Sequence, residues 1–235
     1  MRIEKFQPKR EGSGRRGIGL LVVAAVVFFA SIARAAEPAV ISFTLDFPNS
    51  EPEHYSITVR ADGHGKYECS GRISAESDDK DTYETEFVFS EATRSRIFEL
   101  AAQSHYFTGK IDSGNKKIAF TGAKKLTYTD GERNNAAEYN YSPAPVIQQL
   151  TALFQNVSAT LGFGHRLSYF HRYQKLALDQ ELKRMEADAL SGNLVELQAV
   201  KPVLQEIYDD ASVMNVVRAR AQRIMEMKPV VAAGR

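Results

Sequence analysis

The residues able to do chemistry are few and scattered. The chain has one cysteine, Cys69, and five histidines: His54, His64, His105, His165 and His171. A single cysteine excludes a disulfide scaffold and a metal site built from several thiolates. No two histidines form an H-x-x-x-H or H-E-x-x-H pair. His165 and His171 would stand about 240° apart around a helix, too far to share one metal. Cys69 sits among apolar strand residues, where a thiol behaves as a small hydrophobe; a nucleophilic thiolate needs a basic, exposed setting. The acidic run Glu76-Ser77-Asp78-Asp79-Lys80-Asp81 lacks the central glycine of a calcium loop and reads as a solvated connection. Thr121-Gly122-Ala123-Lys124 lacks the leading glycine of a phosphate loop, and no G-x-S-x-G elbow occurs. Lys110, Lys116, Lys117, Lys124 and Lys125 crowd one predicted hairpin. They read either as a basic surface patch for an anionic partner or as lysines that protect a strand edge. These patterns assign no catalytic residue, no metal and no cofactor.

The N-terminus carries a clearer signal. Residues 1–35 hold a basic segment (Arg2, Lys5, Lys9, Arg10, Arg15, Arg16), an apolar run from Ile18 to Ile32, and Ala33-Arg34-Ala35. This is the three-part order of a secretory signal peptide. Cleavage is expected after Ala35 or after Ala36, with Ala33 and Ala35 filling the small-residue positions. The alternative is an uncleaved anchor, but the run is short against the roughly 20 residues a spanning helix needs. Arg15-Arg16 leaves the choice between the general and twin-arginine routes open, although Gly17-Ile18-Gly19 fits the second poorly. Residues 1–35 contain seven basic and two acidic residues, so the remainder carries a net −4 against +1 for the whole chain. An acidic mature protein lacks the basic face on which nucleic-acid binding relies.

The mature chain divides by periodicity. Hydrophobic residues make up 43% and charged residues 25%, a globular composition that excludes a mainly disordered chain. Ile41, Phe43, Leu45 and Phe47 alternate with polar residues, as do Tyr55, Ile57 and Val59, and Tyr83, Thr85, Phe87 and Phe89. Each run predicts a half-buried strand. A loop at residues 62–64 would pair Val59 with Tyr67 and Ile57 with Cys69. Ile118 and Phe120 predict a short strand, and Leu126 and Tyr128 another. Asp130-Gly131 predicts a hairpin of either two or four loop residues.

Helical spacing enters at Ser90, a good cap for a helix over 91–103 with Ile97, Phe98, Leu100 and Ala101 inward. It returns at Pro143, with Ser142 as cap and Ile147, Leu150, Phe154, Val157 and Leu161 as the stripe, stopping at Gly162. From His165 a further helix is expected to run to about residue 190, its start buried on a second side by Tyr169, Tyr173 and Leu176. At Pro202 the next helix kinks or restarts, and a last one over Val213–Ile224 is capped by Asp210 or Ser212. The expected class is α+β: an antiparallel sheet with helices on one face, followed by about three C-terminal helices. The organisation is a signal peptide over 1–35, a sheet domain over 37–162 and a helical domain or subdomain over 163–228.

The run Tyr55-Ser56-Ile57-Thr58-Val59-Arg60-Ala61-Asp62-Gly63, the helix with Arg96-Ile97-Phe98-Glu99-Leu100, the pair Tyr106-Phe107 and the hairpin at Asp130-Gly131 together resemble small exported bacterial domains of unknown function. The resemblance covers residues 40–160. It implies export and an α+β fold, and it carries over no functional residue. The expected role is that of a periplasmic or secreted binding protein whose partner is a protein or an envelope component. The alternatives are an envelope hydrolase with a site assembled from distant residues, and an interaction protein tethered to the membrane by a retained N-terminus. The intact mass of the protein recovered from cells tests the first step: it should correspond to a chain beginning at Ala36 or Glu37.

Overall fold

The alternating segments assemble into a six-stranded antiparallel sheet. In the computed structural model, residues 38–72 and 80–227 are described. The signal segment with Ala33, Ala35 and Ala36, and Glu76–Asp79 of the acidic run, lie outside them. The strands are β1 (Val40–Asp46), β2 (His54–Arg60), β3 (His64–Arg72), β4 (Lys80–Val88), β5 (Ala123–Thr129) and β6 (Asn134–Tyr139). Their order is β4-β3-β2-β1-β5-β6. Helix α1 (Glu91–Gln103) follows β4, and α2 (Pro145–Tyr173) follows β6. Helices α3 (Leu178–Leu190), α4 (Lys201–Asp209) and α5 (Asn215–Glu226) close the chain. The fold is α+β as expected, with a helical C-terminal segment. Among the described residues no helix is long and apolar enough to cross a membrane.

Register arranges the covered face of the sheet into three rows. The central row runs Thr85, Tyr67, Ile57, Phe43, Leu126, Ala137, and Ile57, Phe43, Tyr67 and Leu126 are fully buried. One margin runs Phe87, Gly65, Val59, Ile41, Tyr128, Asn135. The other runs Tyr83, Cys69, Tyr55, Leu45, Lys124, Tyr139 and is mostly polar-tipped. On the opposite face Ser42, Thr58 and Thr127 are half-buried, and Ser42 Oγ lies 2.5 Å from Thr127 Oγ1.

Helix α2 lies across the strands. Going along it, Thr151 meets Tyr139 of β6, Phe154 stacks on Phe43 of β1, Ser158 meets Tyr67 of β3, and His165 stacks on Tyr83 of β4. From Thr151 to His165 the helix rises about 21 Å, close to the roughly 24 Å between the outer strands of a six-stranded sheet. The Phe43–Phe154 rings are 5.1 Å apart and within 3° of parallel.

Several expectations change in detail. The β2–β3 loop is Ala61–Gly63, so Val59 pairs with Gly65 and Ile57 with Tyr67. That register is two residues from the expected one and keeps the same faces inward. Gly63 takes the left-handed position (φ 96°) that a three-residue hairpin loop requires. The β5–β6 loop has four residues, with Thr129 opposite Asn134. Ile118–Phe120 is loop rather than strand, because Asn140 binds that segment through side-chain bonds to Ala119 and Thr121 instead of a ladder. Helix α2 begins at Pro145, not Pro143, and has no side-chain cap; Pro145 keeps Ala144 extended. Gly162 does not stop it. Two residues on, Gly164 serves close packing: a Cβ there would fall 2.6 Å from Val200 Cγ1.

The expected long helix from His165 breaks at Gln174 (φ −145°, ψ 59°), and a 3-10 turn leads into α3. Tyr173 and Leu176 are exposed rather than docked, since the break directs this corner outward. Pro202 restarts the chain as α4 within its first turn. Met214, not Asp210 or Ser212, precedes α5; the Asp210 carboxylate is held by Lys175, His171 and Ser212.

Ser90 caps α1 as expected, accepting from Thr93 N. Glu196 completes this cap from across the fold, accepting from Ser90 N at 2.8 Å and Ser90 Oγ at 2.6 Å. Replacing Phe154 by Ala removes the ring that seats α2 on the sheet. Urea unfolding should show a loss of about 3–5 kcal/mol.

Candidate functional site

The side of α2 next to its apolar stripe is polar or small: Thr151, Gln155, Ser158, Gly162 and Arg166 recur at steps of three and four. They face the polar margin of the sheet, and between the two lies a cleft. Its first cavity, about 280 Å³, is lined by Thr121, Lys124, Tyr139, Gln148, Thr151 and Gln155 among others. A second, about 500 Å³, shares Thr121 and Gln155 with it and adds Tyr55, Ser158, Gly162 and Arg166. A narrow third, about 30 Å³, shares Gly162 and Arg166 and reaches Cys69, Asp81 and His165.

Two loops form the outer rim. Residues 47–53 are folded back by bonds from Phe47 N to Glu53 O and from Ser50 to Phe47 O and Pro52 O. This brings Phe47, Glu51 and Pro52 over the second cavity. The loop before β5 is tied to the end of β6: Asp112 accepts from Asn140 N and Tyr141 N, and Thr121 N donates to the Asn140 side chain at 2.8 Å. Backbone donors, Gly114 N first, hold the Asp112 carboxyl below its usual range. Phe47 and Phe120 meet edge to face across the rim, ring centres 5.9 Å apart; Phe120 is mostly exposed.

Inside, the hydroxyls are paired. Tyr139 OH lies 2.7 Å from Thr151 Oγ1, and Tyr67 OH lies 3.2 Å from Ser158 Oγ. Burial raises the Tyr139 phenol to about 12 and pushes Tyr55 and Tyr67 well above the ordinary range. These groups therefore stay protonated at neutral pH and act as hydrogen-bond partners. Burial also raises the Cys69 thiol, so it is not a thiolate nucleophile near neutrality. Arg166 donates to the buried Glu181 of α3 at 2.6 Å and lies over the Phe163 ring.

His165 Nε2 lies 3.0 Å from Asp81 Oδ2, and its ring stacks on Tyr83 at 4.2 Å. A second pair, His171 and Asp210 at 2.9 Å, borders a separate hollow of about 590 Å³ at the end of α2. Lys175 also binds Asp210, at 2.5 Å, so that carboxylate serves as an ionic tie.

The structure separates the five clustered lysines. Lys110, Lys116 and Lys117 are exposed on the loop before β5. Lys125 points to the open face and pairs with Glu138 at 3.1 Å. Lys124 does not belong to that surface. It is 6% exposed, because it shares the inward parity of Leu126 and Tyr128. Its Nζ donates to Thr121 O, Thr121 Oγ1, Gly122 O and Asn140 O at 2.9–3.1 Å. The individual motifs did not point to the cleft. The signal that finds it is periodic: the step of Thr151, Gln155, Ser158 and Gly162 beside an apolar stripe, with Lys124 in phase with an inward strand face.

The sequence matches no protein-family model and no curated protein.

Burial lowers the His165 imidazole, and Asp81 only partly opposes this. The folded protein thus takes up this proton at lower pH than the unfolded chain, whose histidine titrates near 6.5. Stability from this group is full above about pH 6.5 and falls as the pH drops below it toward the folded value. Urea unfolding between pH 7.5 and 5 should show that decline, and His165→Gln should flatten it above the range in which carboxylates titrate.

Proposed function

We propose that this chain is an exported protein of the bacterial envelope that holds an extended polar polymer, a glycan strand, in the cleft beside α2, without chemistry. The observation that carries this reading is the run of adjoining cavities along one helix, walled by hydroxyl, amide and aromatic groups. Such a lining suits sugar rings, which offer hydroxyls at their edges and apolar faces for stacking. The rim supplies the aromatic component through Phe47, Phe120 and Tyr141.

A peptide is the weaker fit. Extended peptides bind most readily by adding a strand to an open sheet edge. The cleft opens on the covered face of the sheet, between α2 and the inward side chains of β1, β2, β5 and β6, so its walls are side chains rather than a free ladder. A binding role also accords with the chemistry of the walls. Ser158 is engaged by tyrosine hydroxyls, and the nearby thiol is held protonated.

Gln155 is exposed and lines the first two cavities of the cleft. Gln155→Trp would fill the space between them while leaving the apolar stripe of α2 intact. On an array of neutral and acidic oligosaccharides, the mature protein should retain at least one class, and the variant should bind it at least tenfold more weakly. Equal binding by both proteins, or release of shortened sugars, would overturn the reading.

A further inference from the structure

Lys124 carries a charge that its own surroundings leave unbalanced. The other buried charges of the fold have compensation. Glu181 is met by Arg166 and Arg184, and Arg220 by Asp179 and Glu186. Glu196 lies at the N-terminus of α1, where the helix dipole favours an anion. The four acceptors around Lys124 Nζ are neutral oxygens, and among the described residues no carboxylate pairs with it. Burial accordingly depresses its basicity. A buried ammonium held only by neutral oxygens is costly, and a neutral side chain would tie the same loop to β6 without that cost.

Lys124 also stands in a cavity wall. Lys124, Gln148, Thr151 and Gln155 line the cavity of about 280 Å³ at the β6 end of the cleft. Tyr141, 40% exposed, is at its border, its hydroxyl accepting from Gln148 Nε2 at 2.8 Å. An ammonium has three N–H donors, and four oxygens surround this one, so at least one N–H is divided between two acceptors. Thr121 Oγ1 itself donates to Asn140, so an incoming anion can take its place in that divided contact while the three carbonyl oxygens stay bound.

We infer that this cavity is a carboxylate site, in which Lys124 recognises an acidic sugar residue of the polymer bound in the cleft. The inference rests on the glycan-binding reading and narrows it to acidic glycans. The carboxylate supplies the missing counter-charge, and the side-chain amides of Gln148 and Gln155 are within the same cavity to meet the ring hydroxyls.

The test is calorimetric titration of the mature protein with trigalacturonate, with the neutral trimer galactotriose, and with an N-acetylated tripeptide bearing a free carboxylate. The wild type should bind trigalacturonate at least tenfold more tightly than galactotriose, and Lys124→Met should bind the two equally. Should that variant fail to fold, the wild type still decides: the Lys124 ammonium, followed by NMR through its 13Cε signal, should titrate at higher pH once trigalacturonate is added. Equal affinity of the wild type for both trimers would overturn the carboxylate site while leaving the glycan cleft standing. Binding of neither trimer would overturn both, and preferential binding of the tripeptide would replace the acidic sugar with a peptide terminus. An unmoved Lys124 titration in the presence of bound trigalacturonate would also overturn the site.

Discussion

The seating of α2 across the strands is the contact on which the rest of the molecule depends. A sheet with one apolar face must cover it, and here one long helix reaches both sheet edges. The Phe43–Phe154 stack fixes the crossing point. The hydroxyl pairs Tyr139–Thr151 and Tyr67–Ser158 then set the rotation of the helix about its own axis. With that rotation fixed, the polar flank of α2 has to lie over the polar margin of the sheet. The inner wall and floor of the cleft are therefore a consequence of how the core closes, and the loops at 47–53 and before β5 add its outer rim.

The same helix organises the C-terminal part. Toward its C-terminal end α2 buries Leu167 and Phe170 and packs against α3 and α4, while α5 packs on α3 and α4. Gly164 lets Val200 approach the helix closely. Ion pairs bind the outer layer: Arg220 of α5 reaches Asp179 and Glu186 of α3, and Arg166 ties α2 to Glu181 of α3. One apolar cluster runs from Ile41 in the first strand to Ile224 in the last helix. The wall of the cleft is thus backed on its far side by packed helices, which favours a preformed site over one that closes on its ligand.

Much of this was legible in the residues. Alternation at Ile41–Phe47 and Tyr55–Val59 placed β1 and β2, and Ser90 marked the start of α1 to the residue. What local pattern could not decide was register and termination. Parity holds Ile57 and Val59 inward in either of two pairings, and only the geometry of the turn at Gly63 selects between them. Gly162 has the composition of a helix stop, yet α2 runs on to Tyr173, and that continuation packs against α3 and α4, which lie further along the chain and which no local pattern reveals. The cleft was harder to see because its residues are ordinary one at a time. Lys124 sits beside Lys125 in sequence, and charge alone groups them, while strand parity sends them to opposite faces. Thr151, Gln155 and Ser158 acquire meaning only when set against Tyr139 and Tyr67, which come from two different strands.

The cap of α1 has a temporal side. Its donors at Ser90 are answered by a carboxylate 106 positions further on. A polypeptide threaded through a narrow passage with its N-terminus leading presents the sheet strands and α1 long before residue 196 emerges. Until then the opening turn of α1 lacks one of its acceptors, and α2, emerging later than α1, has yet to cover the apolar face. The earliest-delivered portion accordingly has no finished state of its own, and the last quarter of the chain acts as the clasp that ends its vulnerability.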